Sequence, residues 1–360
     1  MECAWKPNWA ETQKHFIDWW NHKGFVLGMW GAPMARAPHE VVPDPGPAPL
    51  VEGYTNARLR ARLNHYALAQ RSFVADALPI ASTDIGPGSL ALALGAEPGF
   101  SPETVWFEPS IQHVAEPEKL PPFRFDPKNK WWKVHEDTFR ACVALGRGKY
   151  MVGAPDLIEN IDILSSLRDP QTFMYDLIER PAWVEQKVWE INQVWFDAYQ
   201  RMYDIIKLED GSSAWGAFCL WGPGKTAKIQ CDAAALISPD MFRQFVVPAL
   251  SAQCEWLDNS MYHLDGTQCI CHLDALLEIE ALDAIEWTPQ AGIEPGGHRR
   301  WFDLYRRILD AGKSVQIMGP GADEIIPMLD ALGGKGLYMM TWFRDEAEAV
   351  RIAGKAEAYR

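Results

Sequence analysis

The sequence predicts an α/β protein made of a single (β/α)8 TIM barrel, with an N-terminal helical extension and a proline-rich loop after the first strand. The chain has 360 residues, 48% of them apolar, which is enough to bury the core of one large domain. Short apolar runs alternate with helical patterns, as is typical of parallel βαβ units. Since no linker divides the chain, we expect one domain over 1–360, with the barrel proper at about 25–345.

The elements of the N-terminal part come in a clear order. Residues 8–23 form an amphipathic pattern that Gly24 closes, and the apolar run Phe25–Trp30 follows as the first strand. Residues 38–53 are rich in proline and lack apolar periodicity, which predicts a surface excursion or a lid. A helix is expected over about 56–75, where most residues are good helix formers.

The remaining chain continues the alternation. Treating 204–208 and 226–230 as one interrupted region gives a total of eight strands, the number in a (β/α)8 barrel. An open doubly wound sheet is the competing architecture, but Gly28-Met29-Trp30-Gly31 is not the glycine-rich phosphate loop expected there. The further strands are predicted at 78–86, 150–152, 204–208, 226–230, 260–263, 284–287, 314–318 and 337–341, and the helices at 169–203, 239–258, 268–280, 299–311, 322–332 and 344–357.

Charge and cysteine usage narrow the class of protein. The chain carries 34 basic and 48 acidic residues, a net charge of −14, which argues against binding to nucleic acid or an anionic membrane. Seven irregularly placed cysteines do not resemble a secreted disulfide framework. The N-terminus lacks a signal-peptide pattern, and no apolar run approaches bilayer length. We therefore predict a cytoplasmic protein that acts on small molecules.

The segment His263-Leu264-Asp265-Gly266 is the most informative stretch, because it ends a predicted strand with an imidazole and a carboxylate. Such groups bind metals or move protons near neutral pH, and the carboxyl ends of barrel strands are where catalysis takes place in this fold. The alternative is a His–Asp pair that only caps the next helix.

Other strand ends supply polar and aromatic side chains that a barrel would bring to the same mouth. We predict that the catalytic residues are Asp84, Asp232, His263 and His272. We predict that the substrate-binding residues are Trp30, Glu209, Trp215, Trp287 and Gln290.

Two chemistries fit this set. In the first, zinc is bound by Cys231, His263 and Asp265, since thiolate, imidazole and carboxylate are its usual ligands and an open position makes it a Lewis acid. In the second, which needs no metal, a carboxylate stabilises a developing cation while His263 or His272 donates a proton.

Five segments, in this order, resemble the uroporphyrinogen decarboxylase-like superfamily, which includes uroporphyrinogen decarboxylases and corrinoid-linked zinc methyltransferases. The resemblance extends over most of residues 25–345 and implies a (β/α)8 barrel with the active site at the carboxyl end of its strands. The segments are Ser82-Thr83-Asp84-Ile85, Leu92–Gly95, Val152–Pro155, Ile237–Phe242 with Phe245–Pro248, and Tyr262–Gly266.

The resemblance implies two activities, and neither pattern is complete. Asp84 falls at the position of the decarboxylases' catalytic aspartate, but their arginine-rich first loop is replaced here by 29–36, with Trp30 and only Arg36 as a cation. The zinc methyltransferases carry His-x-Cys and a later cysteine. His263 matches that histidine, Asp265 stands at the first cysteine position, and the last strand offers no thiol.

Our preferred prediction is a methyltransferase that moves a methyl group between a small O- or N-methylated substrate and a corrinoid protein, assisted by zinc. One alternative is a decarboxylase or related lyase that uses Asp84 and a histidine acid. Another is a catalytically silent barrel that binds a ligand. The sequence does not decide whether the chain also pairs with a second copy of itself in a homodimer.

Overall fold

The computed structural model describes residues 3–360 and shows a mixed α/β architecture. Parallel strands alternate with helices along most of the chain, which confirms the predicted class. The strands are β1 Val26–Met29, β2 Ile80–Ala81, β3 Glu97–Phe100, β4 Val105–Glu108, β5 Met151–Ala154, β6 Ser213–Trp215, β7 Leu220–Gly222, β8 Thr226–Gln230, β9 Asn259–Asp265, β10 Ala284–Thr288, β11 Ser314–Met318 and β12 Leu337–Thr341.

The helices flank these strands, and helix α8 is by far the longest, with 26 residues. Among residues 3–360, none of the helices is both long and apolar enough to cross a bilayer. The helices are α1 Trp9–Trp20, α2 Leu50–Thr55, α3 Ala57–Ala69, α4 Leu90–Ala93, α5 Lys130–Gly146, α6 Asn160–Arg168, α7 Pro170–Glu179, α8 Pro181–Ile206, α9 Pro239–Phe245, α10 Val247–Trp256, α11 Leu273–Leu277, α12 Phe302–Asp310, α13 Ile325–Leu332 and α14 Glu346–Ala356.

Six parallel strands form the main sheet in the order β1-β12-β11-β10-β9-β8. A second sheet has the order β2-β5-β6-β7, in which only β7 is antiparallel to its neighbour. Strands β3 and β4 form a separate hairpin. Because parallel strands expose their carboxyl ends at one edge, side chains that follow β8, β9 and β10 gather on the same side of the main sheet.

Hydrogen bonds link the two sheets at both edges. At one edge, Leu27 of β1 donates its N–H to Asp76 Oδ2 at 2.9 Å, and the Asp76 N–H returns to the Leu27 carbonyl at 3.0 Å. At the other edge, the Thr226 N–H of β8 reaches Ser213 Oγ of β6 at 3.2 Å. Each sheet edge is thereby tied to the start of the next sheet, which holds the two in a fixed relation.

Most of the predicted strands are confirmed, but one was wrong. Residues 226–230, 314–318 and 337–341 are strands with the predicted bounds. Residues 204–208, predicted as a strand, are the end of helix α8 and the turn after it. Their apolar residues Ile205 and Ile206 continue the helical face of α8, and the strand in this region is β6. The hairpin of β3 and β4 and the helices α5 and α6 were not predicted.

Candidate functional site

The side chains that alternate along β8, β9 and β10 form the centre of the site. In the parallel register, Gln230 stands beside His263, His263 beside Glu286, and Asp265 beside Thr288. Side chains two residues apart in a strand share a face, so these residues point to the same side of the sheet. The sequence analysis found His263 and Asp265 but missed Glu286 and Gln230.

His263 is oriented by a buried carboxylate. Its Nδ1 is hydrogen-bonded to Oε2 of Glu286, and Glu286 is fully buried. Thr288 Oγ1 donates a hydrogen bond to the other oxygen of Glu286, at 2.6 Å. Burial by itself lowers the pKa of His263, but the charge and hydrogen bond of Glu286 outweigh it, so the pKa is raised. With Nδ1 engaged, Nε2 is the ring nitrogen left for a ligand.

Asp232, His263 and Asp265 could hold a metal ion together. Each offers one ligand atom, and these atoms lie within 4.8 Å of one another. Two carboxylate oxygens and one imidazole nitrogen suit a divalent cation such as zinc, and a carboxylate behind the imidazole is a frequent support for a histidine ligand. The two aspartates are exposed, so the position that faces solvent remains open to a substrate. The residues present therefore fit a metal.

Cys231 does not belong to this group, contrary to the predicted ligand set. It is buried, its Sγ lies 3.9 Å from Asp162 Oδ1, and burial raises its pKa well above the ordinary thiol value. Adjacent residues at a strand end point to opposite sides, so Asp232 reaches the group in place of Cys231.

Asp162 fixes the loop that presents Asp232. Its carboxylate accepts the N–H groups of Asp232 at 2.7 Å and of Ala233 at 2.8 Å. Burial, and then the charge of Asp232, raise the pKa of Asp162 to about 7. Burial also raises the pKa of Asp232, while the charges of His263 and Lys228 oppose that shift. Asp162, which holds the loop of Asp232, therefore exchanges a proton near neutral pH.

A chain of hydrogen bonds connects the predicted Asp84 with Lys228 of strand β8. Asp84 Oδ1 accepts the N–H of Asp156 at 2.6 Å, and Asp156 Oδ1 accepts a hydrogen bond from Lys228 Nζ at 2.7 Å. Lys228 is fully buried and also contacts Gln230 Oε1. Burial, and also the charge of Asp156, raise the pKa of Asp84. A lysine between Ala227 and Ile229 in the predicted strand 226–230 was the signal in the sequence, since lysine is almost never buried unless it is paired.

Two of the other predicted residues lie near this group. Trp30 is 44% exposed at the end of β1, and its ring meets Phe218 edge to face with centroids 5.7 Å apart. Gln290 lies beside the loop after Asp265, where its Oε1 accepts the Thr267 N–H at 2.9 Å. Both lie where a side chain can shape the mouth, and their role in substrate binding stays a prediction.

The structure places Trp215, Trp287 and Glu209, which were predicted to bind substrate, outside this group. The ring of Trp215 is stacked on Tyr199 of α8, and Trp287 packs on Trp301, so both belong to the core outside the sheet. Each occupies the alternate position of its strand that faces the helices. Glu209 lies in the turn that precedes β6, at the amino end of the strand.

The contacts of His272, which was predicted as catalytic, are packing contacts and a hydrogen bond within the protein. Its Nε2 is hydrogen-bonded to the Ala234 carbonyl at 2.9 Å, and its ring is stacked on Phe242 at 4.4 Å. The residue is 1% exposed, and burial lowers its pKa. His272 was selected because it follows strand β9 closely in the sequence. In the structure its hydrogen bond to Ala234 connects the segment after β9 with the segment after β8.

Comparison with known proteins adds a likeness in fold. A solved methyltransferase from Methanosarcina mazei superposes with a TM-score of 0.57 at 15% identity, over 97% of this chain and 99% of that chain. No protein-family model matches the chain, and none of the curated proteins matches it. At this low identity the likeness shows a shared fold.

Proposed function

We propose that the two sheets close into a (β/α)8 barrel of the uroporphyrinogen decarboxylase-like type. The hydrogen bonds from β1 to Asp76, four residues before β2, and from β8 to Ser213 of β6 are consistent with closure at both edges. The stretch from β6 to β8 contains a short 3-10 helix but no α-helix and counts as one unit, which gives eight strand–helix units. The fold likeness over nearly the full length of both chains is consistent with this arrangement.

We further propose that the protein is a cytoplasmic, metal-dependent methyltransferase that moves a methyl group from a small O- or N-methylated compound to a corrinoid protein. The arrangement of Asp232, His263 and Asp265 is the observation that carries this proposal. Support also comes from the protein with the similar fold, which is a methyltransferase. The hard oxygen ligands suit a substrate whose methyl group is bonded to oxygen or nitrogen.

Asp232, His263 and Asp265 would hold a zinc ion, which would supply Lewis-acid chemistry at the heteroatom that carries the methyl group. A reduced corrinoid on the partner protein would supply the methyl acceptor. The electron pair of the broken carbon–heteroatom bond would stay on the heteroatom, which would take a proton from solvent at the exposed mouth. Glu286 holds the imidazole of His263 in place throughout, and the Asp162 carboxylate holds the backbone of Asp232.

The decarboxylase alternative is favoured by one observation, the half-buried Asp84. Its raised pKa allows it to hold a proton near the mouth, as a general acid must. The Lys228 ammonium, however, is paired with Asp156 and fully buried, so it is not free to bind the carboxylates of a large substrate. We therefore rank this activity second.

The test uses purified protein loaded with zinc, with free cob(I)alamin as the methyl acceptor and a panel of small methyl ethers and methylamines as donors. We expect formation of methylcobalamin with one donor class, and loss of at least 100-fold in the Asp232→Ala and Asp265→Ala variants. Cys231→Ser is the matched control, because this thiol lies outside the ligand group, and should retain both zinc and activity. Turnover of uroporphyrinogen, or zinc loss in Cys231→Ser with retention in both aspartate variants, would overturn the proposal. Absence of any turnover would leave the silent ligand-binding barrel as the better description.

A further inference from the structure

The loop between β6 and β7 enters the space inside the strands and places one aromatic ring against the candidate site. Its residue Phe218 has φ 62° and ψ 4°, and Cys219 has φ 48°. Two successive residues with side chains in the left-handed region are unfavourable, because each β-carbon crowds the backbone. Such a conformation persists only where the surroundings enforce it.

The surroundings do enforce it. The Phe218 carbonyl accepts a hydrogen bond from Gln316 Nε2 at 2.8 Å, and the Cys219 carbonyl accepts one from Tyr338 Oη at 2.8 Å. Both donors are fully buried on strands of the main sheet. The preceding residue, Gly216, donates its N–H to the Ala154 carbonyl at 3.0 Å. The loop is therefore anchored to both sheets.

This loop conformation places the aromatic ring of Phe218 beside His263. The centroid of Phe218 lies 4.8 Å from that of His263 and 5.7 Å from that of Trp30. The Nζ atom of Lys228 lies 5.4 Å from the same ring. Phe218 is only 8% exposed, so its ring is packed against the imidazole and close to the buried ammonium.

We propose that Phe218 is the wall that limits access to His263 and sets how large a methyl donor the site accepts. This inference rests on the proposed function only for its consequence on substrate size. The shielding of His263 is a property of the protein alone. Replacing the ring with a methyl group would open space beside His263, Lys228 and Trp30.

The first experiment measures access without any catalytic step. Metal-free protein is treated with diethyl pyrocarbonate, and the modification of His263 is followed by mass spectrometry. We expect Phe218→Ala to react at least fivefold faster than the wild type, and Phe218→Leu to fall between them. Phe242→Ala is the matched control, because it removes a buried ring that touches His272 and not His263, and its His263 rate should be unchanged. Equal rates in the wild type and Phe218→Ala would overturn the proposal.

The second experiment tests whether the loop is held in a strained conformation. Glycine accepts a positive φ freely, so Phe218→Gly should melt higher than Phe218→Ala, by a few degrees, and Cys219→Gly should melt no lower than the wild type. At Phe242, inside helix α9, the order should be reversed, because glycine is a poorer helix former than alanine. The same order at both positions would contradict the anchoring argument.

The third experiment separates this inference from the proposed function. In the cob(I)alamin assay, Phe218→Ala should accept bulkier methyl donors that the wild type rejects, with a ratio of kcat/KM between bulky and small donors raised at least tenfold. Faster labelling of His263 without methyl transfer in any variant would refute the methyltransferase and leave the wall intact. Methyl transfer with an unchanged donor preference would refute the wall.

Discussion

Substitution of Glu286 tests whether the site was built to bind a metal through His263. In Glu286→Gln the amide oxygen can still accept the Nδ1 hydrogen, so the ring keeps its position but loses the adjacent negative charge. Carboxylates behind a histidine ligand typically contribute 10- to 100-fold to metal affinity, which corresponds to about 1.4–2.7 kcal/mol. We expect a zinc Kd weaker by that factor, measured by competition with a chromophoric chelator.

The pH dependence of zinc binding supplies a second readout that a merely structural role would not change. The raised pKa of His263 means that protons compete with the metal, so binding should strengthen as pH rises through that pKa. Glu286→Gln removes the charge that raises the pKa of His263. The midpoint of the pH profile of zinc binding should therefore move to lower pH, and the zinc affinity at the high-pH plateau should weaken. Thr288→Val is the milder control, because it removes only the 2.6 Å hydrogen bond to Glu286. An unchanged Kd and an unchanged midpoint in Glu286→Gln would refute the reasoning.

The other predictions concern the supports of the site. Lys228→Met should destabilise the fold by about 3–5 kcal/mol in urea titrations, because it leaves the Asp156 carboxylate buried without its partner, and Asp156→Asn in the same chain should recover part of that loss. Equal stability of the single and double variants would show that the pair is not coupled. The pKa of about 7 at Asp162 means that the native state binds a proton more tightly than the unfolded chain. Its contribution to the free energy of unfolding should therefore be present below pH 4 and decline between about pH 4 and 7, and Asp162→Asn should lack this decline. A wild type and Asp162→Asn whose stabilities change in parallel over that range would contradict the assignment.

The sequence was sufficient to predict the alternation of elements and the part of the site that lies on one strand. His263 and Asp265 share a face of β9, so a single segment revealed both. Glu286 was missed because it lies inside an apolar strand with Trp287, and only the parallel register brings it beside His263. The sequence analysis assigned Cys231 to the metal and Asp232 to catalysis, and a strand end in a sequence does not show which of two adjacent side chains points into the site. Phe218 was beyond prediction, because its position depends on a loop fixed by distant Gln316 and Tyr338.

Anomalous X-ray diffraction at the zinc edge, on crystals of the protein grown with one equivalent of zinc, tests the central claim most directly. The account predicts a single strong peak within bonding distance of an oxygen of Asp232, Nε2 of His263 and an oxygen of Asp265, with Cys231 Sγ outside the coordination sphere. A peak at another place in the molecule, or the absence of a peak at this group in zinc-saturated crystals, would contradict it.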